Sequence, residues 1–211
     1  MKLLPECVLY GIIDTGYVTR ERLPVITGEL IKGGADIIQL RAKRESREEF
    51  LEIALELSPI CRHAGIPLIL NDHPELVQEA GASGAHVGQQ DHSVAEARKL
   101  AGPGAIIGKS THSLDQAIAT SLEAPDYIGF GPIFKTPTKP DYLPIGIEQI
   151  REVHRIVLQP IFCIGGITLD TLSEVLASGA QRVVIVSDLL RSINPLERTA
   201  KCKALINGHA P

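Results

Sequence analysis

Residues 64–72 read AGIPLILND: a Gly, a Pro, a short apolar run, and then two polar side chains, Asn71 and Asp72. A run this short, bounded by Pro67 and a polar pair, has the character of a strand buried on both faces, as in a parallel sheet. A carboxylate is costly to bury alone, so Asp72 at the strand exit must be solvated or liganded. The same phrase recurs along the chain, in GGADIIQLRAK (33–43), GASGAHVGQQD (81–91), PGAIIGKSTHS (103–113), PDYIGFGPIFKTPTK (125–139), QPIFCIGGI (159–167) and GAQRVVIVSD (179–188), with CVLYGIID (7–14) opening the series. These make eight expected strands.

Between them lie stretches with helical spacing. Over 47–64, Phe50, Leu51, Ala54, Leu55, Leu57, Ile60 and Cys61 recur at intervals of three and four with charges between. Further helices are expected over 22–33, 74–80, 93–101, 114–123, 147–156, 169–178 and 195–207. Parallel neighbours need a crossover, and a helix supplies one. Eight strand–helix units in 211 residues predict an α/β fold, a single-domain (β/α)8 TIM barrel spanning 1–211. An open doubly wound sheet is the other topology considered. Against it, the first strand continues into IIDTGYVTR with no GxGxxG.

Composition narrows the function classes. An apolar content of 44% is enough for one large core, and a net charge of -4 with scattered Lys and Arg gives no basic stripe for nucleic acid. Pro5 and Glu6 interrupt the short N-terminal apolar run before a signal-peptide core could form, and no segment approaches the roughly 20 apolar residues of a membrane span. A cytoplasmic protein is expected, with no nucleic-acid or membrane partner. Cys7, Cys61, Cys163 and Cys202 lie far apart without CxxC spacing, which points to reduced structural cysteines.

In such a barrel the strand C-termini meet at one rim, where active sites sit. The endings gathered there are Arg41, Lys43, Asn71, Asp72, Gln89, Asp91, Ser110, Thr111, Thr136, Thr138, Lys139, Gly165, Gly166 and Ser187, whereas the opposite rim shows mainly Gly, Pro and Ala. Asp72 and Asp91, flanked by Asn71 and Gln89, form a hard-oxygen set suited to Mg²⁺, which takes one or two carboxylates and leaves its other positions to water and phosphate. Arg41, Lys43 and Lys139 supply the opposite charge for a polyanion, and Ser110, Thr136 and Thr138 add neutral donors. Either Asp could instead cap a helix, Asp72 before His73 and Pro74, Asp91 before HSVAEA. After the seventh and eighth strands, Gly165, Gly166 and Ser187 stand where many barrels hold a monophosphate, although a Gly pair also suits a left-handed turn. The Pro-rich stretch 131–144 has the length of a lid or of a plain surface excursion.

These motifs, LYGIID, GGADIIQLRAK, LILNDHPEL, GAHVGQQD, IGKSTHS, DYIGFGPIFKTPTK, CIGGI and VIVSDLL, resemble in order and spacing those of the thiamine-phosphate synthase (thiamine-phosphate pyrophosphorylase) family over nearly the whole chain. The resemblance implies a (β/α)8 barrel that joins a hydroxymethylpyrimidine diphosphate to a thiazole phosphate, giving thiamine phosphate and pyrophosphate. It implies that Gln39, Arg41, Lys43, Asn71, Ser110 and Lys139 hold the pyrimidine diphosphate, with Arg41, Lys43, Ser110 and Lys139 acting on the departing pyrophosphate. Asp72 and Asp91 would bind Mg²⁺, and Thr136, Thr138, Gly166, Val186 and Ser187 the thiazole phosphate; the partners are these small molecules, with room for a homodimer. A related family, the thiazole tautomerases, shares the barrel but uses a His after the sixth strand's Gly, where this chain has Pro132. A non-catalytic thiamine-phosphate-binding barrel is the remaining alternative, and His112 could be read as an acid/base group or as a strand-end hydrogen-bonding His. Asp188, His73, Lys109 and Gly11 depart from the family pattern, Asp188 by placing a negative charge beside the expected monophosphate.

Overall fold

The computed structural model describes residues 3–136 and 143–209. Its strands are β1 (Leu9–Asp14), β2 (Ile37–Arg41), β3 (Leu68–Asn71), β4 (Gly84–Val87), β5 (Ile106–Thr111), β6 (Tyr127–Phe130), β7 (Ile161–Ile164) and β8 (Val183–Ile185). They close into a parallel barrel in the order of the chain, with β8 pairing back onto β1. Every expected strand is present.

The helices are α1 (Leu23–Lys32), α2 (Arg47–His63), α3 (Val77–Ala80), α4 (Val94–Ala101), α5 (Leu114–Leu122), α6 (Ile150–Ile156), α7 (Leu169–Ala177), α8 (Ser187–Leu190) and α9 (Pro195–Gly208). Local chemistry sets their starts. Ser46 accepts from the Glu49 N–H and Glu49 reaches back to Ser46, a capping box repeated by Ser93 with Glu96 and by Thr168 with Thr171. Two expected helices are shorter than their apolar spacing suggests. Over 74–80 the chain first forms a 3-10 turn, Pro74–Leu76, and only then the single α-turn of α3. In the expected 147–156 helix, α6 begins only at Ile150, with no side-chain cap to hold an earlier turn.

Strand parity divides the core in two. Leu9, Ile13, Ile38, Leu40, Leu68, Leu70 and their like face the helices and build the larger cluster. The alternate set, Tyr10, Ile12, Ile37, Ile69, Tyr127, Phe162 and Val184, fills the barrel itself, joined by Cys7 from just before β1. Two glycines make room inside: a Cβ on Gly108 would lie 2.1 Å from the Tyr127 ring, and one on Gly84 1.9 Å from the Ile106 carbonyl oxygen.

The strand-start rim is richer in charge than the expected Gly, Pro and Ala. Buried Asp36 accepts from the Val8 and Leu9 N–H groups at 2.8 and 3.0 Å and meets Lys203 of α9 at 2.5 Å. Asp126 takes the Ile107 N–H at 2.7 Å and pairs with Arg98 at 3.1 Å. These carboxylates finish backbone donors where strands begin. The four cysteines are buried with no disulfide among them, and burial pushes the thiols of Cys61, Cys163 and Cys202 up to about 12.

Candidate active site

At the C-terminal rim the barrel opens into a cavity of about 920 Å³ of empty space, its open mouth included. Tyr10, Tyr127 and Phe162 form its floor, with ring centroids 5.5 to 5.8 Å apart in edge-to-face contacts. Among the expected site residues, Gln39, Arg41, Asn71, Ser110, Thr136, Gly166, Val186 and Ser187 line the cavity. Thr138 and Lys139 lie outside the described residues. Lys43, Asp72 and Asp91 do not line it; they stand above, on the loops after β2, β3 and β4.

Arg41 and Lys43 each have an anionic partner. Arg41 Nη1 donates to Asp14 at 2.7 Å, and the Asp14 carboxylate, buried at the end of β1, also accepts the Gly16 N–H at 2.9 Å. Lys43 contacts the Asp72 carboxylate. Asp72 adopts a left-handed backbone, φ 64, a conformation that costs a non-Gly residue about 1 kcal/mol or more and tends to persist at functional sites.

The helix-cap reading fails for both aspartates. His73 occupies the N-cap position of the 3-10 turn after β3, and no side-chain cap is made there. Ser93 caps α4, while Asp91 accepts the Gly88 N–H at 2.7 Å and so shapes the β4–α4 loop. Among the described residues no three His, Cys, Asp or Glu side chains converge as a metal cluster. Two carboxylates at an open rim are still the donor set that Mg²⁺ accepts when water and phosphate complete its shell.

Several polar residues near the rim serve the scaffold. Gln89 donates to the Ser110 carbonyl at 2.7 Å and to Thr120 Oγ1 at 3.1 Å, bracing β5. His112 Nδ1 meets the Gly131 carbonyl at 2.6 Å, the strand-end arrangement. Lys109 points out of the barrel to Glu123, at 2.8 and 2.9 Å. Burial works to raise the Glu123 carboxyl, but its bonds from Lys109 and the Val94 N–H outweigh that and hold it below the usual range. His73 packs on Phe50 and meets Glu75.

On the β7–β8 side, Gly165 and Gly166 are both left-handed, φ 100 and 67, and a Cβ on either would collide with residues 132–135. The turn alone therefore requires both glycines. Asp188, the departure that threatened a phosphate, is committed elsewhere. Its carboxylate accepts the Leu169 N–H at 3.0 Å and two bonds from Arg198, at 2.9 and 2.6 Å.

Tyr10, Tyr127 and His86 reach the site without having been singled out in the sequence. Gln39 Nε2 donates to Tyr10 Oη at 2.7 Å, the two tyrosine hydroxyls are 3.0 Å apart, and His86 joins Tyr127 Oη at 3.0 Å through Nδ1 and Ser110 Oγ at 2.8 Å through Nε2. Burial raises the ionisation of both phenols well above the ordinary value, so each keeps its proton.

A sequence profile for the family described as thiamine monophosphate synthase matches residues 9–189, from the start of β1 through α8. The chain belongs to the thiamine monophosphate synthase family. Curated relatives include the thiamine-phosphate synthases of Shouchella clausii, 40% identical over 86% of this chain and 88% of that protein, and of Chloroflexus aurantiacus, 36% identical over 94% and 92%. A solved thiamine phosphate pyrophosphorylase from Pyrococcus furiosus superimposes with a TM-score of 0.89 at 27% identity, covering 97% of this chain and 98% of that one. No helix of the described residues is long and apolar enough to cross a membrane.

Proposed function

We propose that this chain is a thiamine-phosphate synthase, a transferase that joins 4-amino-2-methyl-5-hydroxymethylpyrimidine diphosphate to 4-methyl-5-(2-phosphooxyethyl)thiazole and releases pyrophosphate. The observation that carries the reading is the division of one cavity: an aromatic floor, Arg41 and Ser110 on the β2–β5 arc, and the Gly166–Ser187 corner on the β7–β8 arc. Two phosphorylated rings can meet above that floor.

In this mechanism Arg41, Lys43, Lys139 and Ser110 hold the diphosphate oxygens by charge-assisted bonds. The carbon–oxygen bond at the pyrimidine methylene breaks and its electron pair leaves with pyrophosphate. The electron-rich ring carries the resulting methylene cation. The thiazole nitrogen then donates its lone pair to that carbon, forming the new carbon–nitrogen bond, so no protein nucleophile takes part. Thr136, Thr138, Gly166, Val186 and Ser187 orient the thiazole by its phosphate, and the aromatic floor limits water that would capture the cation. Asp72 and Asp91 would hold Mg²⁺, which supplies positive charge to the diphosphate. The reduced cysteines and small substrates suit a cytoplasmic enzyme, which we read as one domain over 1–211, with no nucleic-acid or membrane partner and with a homodimer compatible.

The test is pyrophosphate release from purified protein given both substrates, with Mg²⁺ and with chelator. Release should require both substrates and the metal, and Asp91→Ala should lower turnover by at least about a hundredfold while leaving the unfolding free energy within about 1 kcal/mol of the parent. Near-normal activity of that variant would refute the metal role, and binding of thiamine phosphate without turnover would favour the binding-barrel alternative.

A further inference from the structure

The chain of bonds from Gln39 to Ser110 crosses the barrel floor on β2, β1, β6, β4 and β5 in turn. A phenol has one hydrogen to donate, and a neutral imidazole donates through one nitrogen and accepts through the other. With both phenols protonated and the imidazole neutral, two arrangements satisfy these four bonds. In the first, the Gln39 amide nitrogen donates to Tyr10, Tyr10 to Tyr127, Tyr127 to His86 Nδ1, and His86 Nε2 to Ser110 Oγ. Gln39 Oε1 and the Ser110 hydrogen are then left for the cavity. In the second, every bond reverses: Gln39 accepts through Oε1, turns its NH₂ outward, and Ser110 spends its hydrogen on His86. A mixture puts two hydrogens, or none, in one gap, which leaves a buried donor or acceptor unmatched.

We propose that this chain is a polarity relay, in which what Gln39 presents to a ring substituent dictates what Ser110 presents to an oxyanion, with Tyr10, Tyr127 and His86 as positioning residues. The amide orientation here, nitrogen toward Tyr10, selects the first arrangement. Gln39 is then an acceptor for an amino group on a heteroaromatic ring, and Ser110 a donor to a phosphate oxygen. A ring bearing a carbonyl in place of that amino group turns Gln39, reverses the chain and withdraws the Ser110 hydrogen from the leaving group. The relay thus discriminates amino from oxo rings twice, at the contact and again at the bond that breaks. The identity of the substrate rests on the function proposed above; the relay itself is a property of the unliganded protein.

The experiment is long-range proton–nitrogen NMR of ¹⁵N-histidine protein, with the His86 ring assigned by its loss in His86→Asn. The expected ring is the neutral Nε2–H tautomer. Gln39→Glu, read at alkaline pH, can only accept from Tyr10 and should convert His86 to the Nδ1–H tautomer; Tyr127→Phe should leave a mixture of tautomers. In turnover, Tyr127→Phe should lower kcat about tenfold with KM for the thiazole phosphate unchanged. A parent ring found as Nδ1–H or as imidazolium overturns the assigned polarity. A His86 tautomer unmoved in Gln39→Glu overturns the relay, and should that variant not fold, an unmoved tautomer in Tyr127→Phe does so. A protein that shows the tautomer change but makes no thiamine phosphate keeps the relay and loses the synthase reading.

Discussion

Arg41 comes to the cavity already tied to a carboxylate, and Asp14 is the residue that ties it. Asp14→Asn keeps an acceptor for the Gly16 N–H but removes the charge that fixes the guanidinium. Its turnover should fall about tenfold, chiefly in kcat, as steady-state kinetics with the pyrimidine diphosphate would show. A second residue far from the mouth sets an acid limit. His154 on α6 is held down to about 4 by burial, with the Arg182 charge adding to it, and neither His154 Nε2 nor Arg182 Nε has a partner. The unfolded chain takes up this proton near pH 6.5 and the folded one only near 4. The neutral His therefore contributes stability fully above pH 6.5, up to about 3 kcal/mol of it lost as pH falls toward 4. Urea midpoints of His154→Gln should fall less across that window than those of the parent. Residue chemistry was only partly legible in the sequence. Asp72 and Asp91 announce themselves by following apolar runs, whereas Tyr10 and Tyr127 read as ordinary strand aromatics until closure of the barrel brings their hydroxyls together across 117 positions of chain.

Elements meet through few polar ties, and two of them can be tested. Lys203 joins α9 to the start of β2 by its bond to Asp36, whose side chain is 3% exposed. Lys203→Met would take that ion pair from a buried carboxylate, and chemical denaturation should show a loss of about 3 kcal/mol with unchanged kcat. Gly108 on β5 gives Tyr127 on β6 its place, and Gly108→Ala would drive a methyl into that ring. A loss of about 3 kcal/mol is expected from denaturation, together with a fall in turnover, because the same ring carries the link to His86. At this scale the sequence was most informative. A short apolar run after a Gly or Pro recurs eight times because each crossover returns the chain to the same barrel face. Helix starts were less so, since α6 lacks the side-chain cap that marks α2 or α4.

For the molecule as a whole, the two rims divide the work. Carboxylates at the strand starts, Asp36 and Asp126, tie backbone N–H groups to Lys203 and Arg98, while at the strand ends Asp14 holds Arg41, Asp72 meets Lys43, and Asp91 stands exposed on its loop. Sequence could assign the ends but not the pairings, because Asp36 and Lys203 lie 167 positions apart. The aromatic floor has an optical consequence as well. The chain has no Trp and four Tyr, and two of those four lie beneath the cavity. Near-ultraviolet emission therefore comes from a small set of chromophores, half of them in the floor, and an absorbing heteroaromatic ring settling there should quench it. Titrating a ligand against tyrosine fluorescence would give occupancy without a label, in a protein that carries its own reporter.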